Sequence, residues 1–248
     1  MESQQKYSNF ELESQKEEPY YQNTDGMFAN TRLGFVQKVY GLLTCQLLFT
    51  VLMCIISMTS KSFLNFQVEY YGLFIFFMVL NMVIMITLFC FPHTSKVVPY
   101  NYILLGLFTF SESWIVSAMC GMTSPKIVFM AAVMTLGITV ALTLYAITTK
   151  TDFTVYGGLM YLLGMGLLLF GIFAFFTDNK IINIIICLIS VVILGIYLIY
   201  DTQLIIGNRK HSLEIDDYII GALMLYVDII TLFMELIELL RNLTGEHN

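Results

Sequence analysis

The chain has 248 residues, 58% of them hydrophobic and only 12% charged, with a formal net charge of −6 and a mean hydropathy of +0.78. That balance excludes an ordinary soluble domain and a basic nucleic-acid binder, and it points to a polytopic membrane protein. The first 31 residues carry Glu2, Glu11, Glu13, Glu17, Glu18 and Asp25 without an apolar run. They read as a disordered acidic tail rather than a cleavable signal peptide. A helical span needs about 20 mostly apolar residues. Seven such runs follow in order, at about 39–59, 69–91, 100–120, 127–148, 155–176, 181–206 and 217–240. The expected fold is an all-α membrane protein, a single seven-transmembrane-helix bundle over residues 32–248. The five cysteines (Cys45, Cys54, Cys90, Cys120 and Cys187) fall inside apolar runs without CxxC spacing, and read as small buried hydrophobes.

With seven spans, Arg32, Lys38, Lys96, Lys150, Arg209 and Lys210 share one side, against Lys61, Lys126, Lys180 and Arg241 on the other. Six against four favours a cytosolic N-terminus and a lumenal C-terminus. The sequon Asn242–Thr244 lies too close to the last span for ready glycosylation.

Charge inside the spans is rare, which makes its few instances informative. Glu112 lies in the third run, Asp201 in the sixth and Asp228 in the seventh. A carboxylate at mid-membrane costs roughly 2.5–3.5 kcal/mol on insertion scales, so it persists where it faces protein, water or an ion. On the seventh helix Asp217, Asp228 and Glu235 fall within about 40° of one another. That helix therefore belongs at the bundle centre. By helical rise, Glu112 and Asp228 lie roughly 16–18 Å deep and Asp201 about 8 Å from the cytosolic boundary. A tilt or a break is needed to join Asp201 to Asp228, and spacing alone does not make them a pair. Glu112 has two readings, as an ion ligand and as a hydrogen-bonding link between helices.

Two acids in a low-dielectric site cannot both ionise without strong repulsion, so such a pair shares a proton and titrates as a unit. Calcium takes six to eight oxygen ligands, and two aspartates supply four at most. Waters, carbonyls, Glu112, Thr202 or Thr231 would complete the shell, with Glu235 a further candidate on the same stripe. That shortfall suits a permeation site, from which the ion must leave. Receptor motifs and the GxGD and HExxH enzyme patterns are missing, so no enzyme is expected.

Several segments resemble the transmembrane Bax-inhibitor-motif family, in its lifeguard and Golgi anti-apoptotic branch. They are Gln37–Tyr40 (QKVY), Pro99–Leu104 (PYNYIL), Phe108–Glu112 (FTFSE), Lys150–Phe153 (KTDF), Tyr200–Thr202 (YDT), Asp216–Tyr218 (DDY) and Leu225–Phe233 (LYVDIITLF). The resemblance implies a central last helix wrapped by two layers of three. It also implies a pH-sensitive calcium leak from an intracellular store, gated by hydrogen-bonded Asp201 and Asp228, and protection from apoptosis. Some bacterial relatives latch this pair with a second-span arginine, but Glu69–Phe91 holds no Arg or Lys. Calcium ions and protons are thus the expected partners, with the bilayer, cell-death regulators and a second copy of the chain beside them. No nucleic acid and no cofactor is expected, calcium being cargo. The expected location is Golgi or endoplasmic reticulum, with the plasma membrane as alternative. Two other functions remain open: a proton/cation exchanger, hinted at by glycines 157, 158, 164, 166 and 171, and a non-conducting interaction protein.

Overall fold

The computed structural model describes residues 2–176, 179–207 and 209–245, and side chains from Asn30 onward except those at 92 and 175. Of the acidic tail expected at 1–31, Met1 and the side chains before Asn30 lie outside the described residues, and the backbone from Glu2 is helical.

Nine α-helices occur among the described residues: α1 (Glu2–Thr59), α2 (Lys61–Glu69), α3 (Tyr71–Cys90), α4 (Pro92–Lys96), α5 (Tyr100–Gly121), α6 (Pro125–Thr148), α7 (Gly157–Phe175), α8 (Lys180–Ile206) and α9 (Tyr218–Thr244). Seven are long and apolar enough to span a membrane, at the places the hydropathy runs anticipated. The first span lies within α1, which continues N-terminally past the expected start near 39, with Phe35 and Val39 buried in the core.

The spans form two layers of three. In one, α5 lies between α1 and α3; in the other, α8 lies between α6 and α7. α9 runs between the layers and touches α1, α5, α6 and α8. It is the most enclosed span, with 61% of its apolar window buried against 6% for the span containing α7. The central position expected of the last helix is thus observed. Along it, Ile219, Leu223, Tyr226, Leu232, Leu236 and Ile237 are almost completely buried.

Without a water-driven hydrophobic force in lipid, interhelix contact depends on close packing and polar links. Both are visible. Tyr197 of α8 donates to the Met160 carbonyl of α7, and a Cβ at Gly164 would stand 2.6 Å from the Tyr197 oxygen. Gly157 and Gly164 thus serve close packing, whereas a Cβ at Gly158, Gly166 or Gly171 would meet nothing within 4 Å, and α7 is a continuous peripheral helix. In the other layer Thr50 of α1 shares hydrogen bonds of 2.8 Å with Ser113 of α5 and Tyr226 of α9. Gln46 reaches Thr109 at 2.9 Å. Cys54, Cys120 and Cys187 are buried as expected, whereas Cys45 and Cys90 are exposed on the surface of the bundle.

Candidate functional site: a buried aspartate pair

Asp201 lies near the end of α8 and Asp228 ten residues into α9, yet their carboxyl groups are neighbours. The depth mismatch is absorbed by where α9 starts. A Cβ on Gly221 would lie 3.3 Å from Ile205 and 3.3 Å from Val39, so these residues stand at one level. From there Asp201 is about 6 Å and Asp228 about 10.5 Å further in, by helical rise. The remaining roughly 4–5 Å is within the span of two side chains and a modest tilt. α9 therefore begins outside the level at which α8 ends.

Both aspartates are buried, at 4% and 7% exposure. Among the described residues the ion pairs are Lys96–Glu214, Lys96–Asp217 and Arg241–Glu238, so neither aspartate has a cationic partner. Among the described residues Asp228 Oδ2 has no hydrogen-bond partner. Thr202 Oγ1 also lacks one; it faces Tyr40 of α1 without a well-formed bond. Two apposed acids with no counter-charge suit one proton held between them, since removing it leaves two like charges in a dry site.

The other expected ligands are not drawn to this pair. Asn81 of α3 donates to Glu112 and accepts from Ser111, so Glu112 sits in its own α3–α5 cluster and acts as the helix-linking hydrogen bond. Thr231 is half-buried, one turn beyond Asp228 on α9. Glu235 is two turns beyond it, against Cys187 of α8. Glu238 pairs with Arg241 at 3.6 Å and accepts from Asn242 at 3.0 Å. Asn242 is 1% exposed, which withdraws the sequon from use. Among the described residues no group of three or more His, Cys, Asp or Glu side chains converges on one point.

The remaining motifs gather at the end of the bundle nearest the pair. Lys96 pairs with Glu214 at 2.6 Å and Asp217 at 3.2 Å, beside a cleft of about 360 Å³ that Ser95, Lys96, Glu214 and Asp217 help to line. The Lys38 ammonium lies 5.3 Å from the Tyr218 ring centroid, and Asn101 reaches the Tyr218 hydroxyl at 3.4 Å. Asp152 accepts from Thr154 N at 2.9 Å and Lys210 N at 3.0 Å. These bonds and the nearby Arg209 hold its carboxyl below the usual range, the Thr154 hydroxyl contributing most. Gln203 of α8 donates to Thr151 O at 3.0 Å and accepts from Phe153 N at 2.8 Å. Arg209 donates to Thr149 O at 2.5 Å. Sequence reasoning passed over Gln203 and Asn81, whose one signal was an amide in an apolar run.

Fold and site together define a multi-pass helical membrane protein with two buried aspartates apposed where α8 packs on the central helix. The family described as "Inhibitor of apoptosis-promoting Bax1" matches residues 32–245. Human protein lifeguard 3 is 33% identical over 214 residues, covering 83% of this chain and 68% of the relative. Arabidopsis thaliana protein LIFEGUARD 2 is 31% identical, with 85% and 88% covered. Bax inhibitor 1 of Schizosaccharomyces pombe is 31% identical, with 88% and 79% covered. The chain belongs to the Bax inhibitor-1 family.

Proposed function

We propose that the protein is a pH-sensitive cation leak channel, with calcium as its cargo, gated by Asp201 and Asp228. The observation that carries this reading is the contact between two buried carboxyl groups with no cation beside them. With one proton between them the pair is a bridge that ties α8 to α9. Losing that proton sets two negative charges against each other, loosens the bridge and creates an attraction for a divalent cation. Four carboxylate oxygens leave a calcium ion under-coordinated, and the unpaired Thr202 Oγ1 and passing waters would supply the rest. A site of that strength admits an ion and releases it, as conduction requires.

Intracellular membranes, Golgi or endoplasmic reticulum, are the proposed location. The family description and the name of the fission-yeast relative support a role in restraining cell death. On this reading that role follows from a lowered calcium store. The test is calcium flux in liposomes from pH 6 to 8 for wild type and Asp228→Asn. Flux that depends on pH in the wild type and is locked in the variant is expected. Flux indifferent to both pH and the substitution would sink the proposal.

A further inference from the structure

Among the described residues, Arg32 of α1 hydrogen-bonds backbone carbonyls only. Its Nε donates to Ile206 O at 3.2 Å, Nη1 to Leu213 O at 2.6 Å and Nη2 to Leu204 O at 2.7 Å. Leu204 and Ile206 close α8, where carbonyls outrun the helix's own N–H donors. Leu213 belongs to the connection into α9, and its N–H bonds Leu204 O at 3.0 Å. A planar fork of five donors suits three acceptors on two segments, and a cation is favoured at a helix C-terminus. The guanidinium fits because position 207 is glycine: a Cβ there would stand 2.8 Å from Arg32 Nε. Beneath it the Phe35 ring centroid is 4.6 Å away. One side chain thus joins α1, the last turn of α8 and the entry to α9, one helical turn from Asp201.

We propose that Arg32 is a positioning residue for the aspartate pair. By clamping these three carbonyls it sets the level at which Asp201 meets Asp228, and through that contact the pH at which the pair exchanges its proton. The inference rests on the pair acting as a pH-dependent gate. The other titratable groups facing the pair are Tyr197 and Tyr200 of α8, with Tyr40 of α1 opposite Thr202. On α9 the next acid is Glu235, two turns further along. α7 carries no charged residue and α6 only Lys126, at its far end. Glu112 of α5 is held by Asn81. The pair's geometry is therefore the quantity Arg32 controls.

The test compares wild type, Asp228→Asn, Arg32→Gln and Arg32→Lys as full-length protein. Calcium flux in liposomes from pH 6 to 8 is read beside hydrogen exchange at residues 204–213. Arg32→Gln is expected to speed exchange at Leu213 and to displace the pH midpoint of flux by about one unit, as when a coupled carboxyl pair changes separation. Arg32→Lys, whose ammonium is a point and not a fork, is expected to do the same to a smaller degree. A pH-dependent wild type that Asp228→Asn locks, with the Arg32 midpoints unmoved despite faster exchange, overturns the role of Arg32 and leaves the gate standing. Flux that ignores pH in wild type and in Asp228→Asn overturns the gate and this inference with it. Should Arg32→Gln fail to fold, Arg32→Lys decides: a shifted midpoint supports the inference and an unshifted one overturns it.

Discussion

Replacing Gly207 with alanine tests whether the end of α8 is built as described. Gly207 has φ 78° and ψ −158°, a conformation that is almost exclusively glycine's and costs another residue about 1–3 kcal/mol. The new Cβ would meet Arg32 at 2.8 Å from Nε, 3.1 Å from Cζ and 3.2 Å from Nη2. The guanidinium must retreat, weakening at least one charge-assisted bond of about 1.5–3 kcal/mol, discounted because the site is half-exposed. Together the loss should reach about 2–4 kcal/mol, or roughly 5–15 °C in the unfolding midpoint for a chain of this size. Thermal unfolding in detergent would read it. In a cycle with Arg32→Ala the double variant should lose less than the two singles added, by about 1–2 kcal/mol, because both strike one contact. A Gly207→Ala midpoint equal to wild type, or strict additivity in the cycle, would refute the clamp.

Tyr226→Phe removes a hydroxyl that bonds Thr50 at 2.8 Å and should destabilise the bundle by about 1–2 kcal/mol in the same unfolding assay. Glu112→Gln keeps an acceptor for Asn81, so it should leave stability and the pH profile of flux unchanged; a lost profile would make Glu112 part of the conduit. Glu112→Leu removes the acceptor and should cost about 1–3 kcal/mol. Lys96 holds the Glu214 carboxyl below its ordinary range, and Glu214 first, then Asp217, hold the Lys96 ammonium above its own. A lowered acid stabilises above its unfolded value and loses that on acidification; a raised base stabilises below its unfolded value and loses that as pH rises through the folded one. Lys96 and Glu214 are therefore both charged from pH 6 to 8, and Lys96→Ala should leave the pH midpoint of flux in place. A moved midpoint would assign the pH response to this cluster.

Hydropathy made the spans legible, because lipid demands long apolar helices with internally paired backbone. Asp228 also foretold the central helix, since a lipid-facing helix could not hold it. The Asp201–Asp228 contact was harder to read. Counting rise from assumed membrane boundaries separated the residues by about 8–10 Å, because the sequence hides that α9 starts beyond the end of α8. Arg32 was visible only as one positive charge among those that orient the chain. Its carbonyl acceptors come from residues more than 170 positions away, and backbone acceptors carry no residue signature. Glu112 was legible as an acid inside a span, but its facing direction depends on Asn81 across α3. Several family motifs outside the pair proved to be joints at one end of the bundle, as Asp152 and Tyr218 illustrate.

The most direct test of the central claim is the pH midpoint of calcium flux in Asp201→Asn, Asp228→Asn and the double variant, each in liposomes beside wild type. If the two carboxyl groups are one proton-sharing gate, either single substitution abolishes the pH response and the double variant loses nothing more. If each single variant keeps a pH response of its own and only the double loses it, the aspartates titrate independently and the paired gate is wrong.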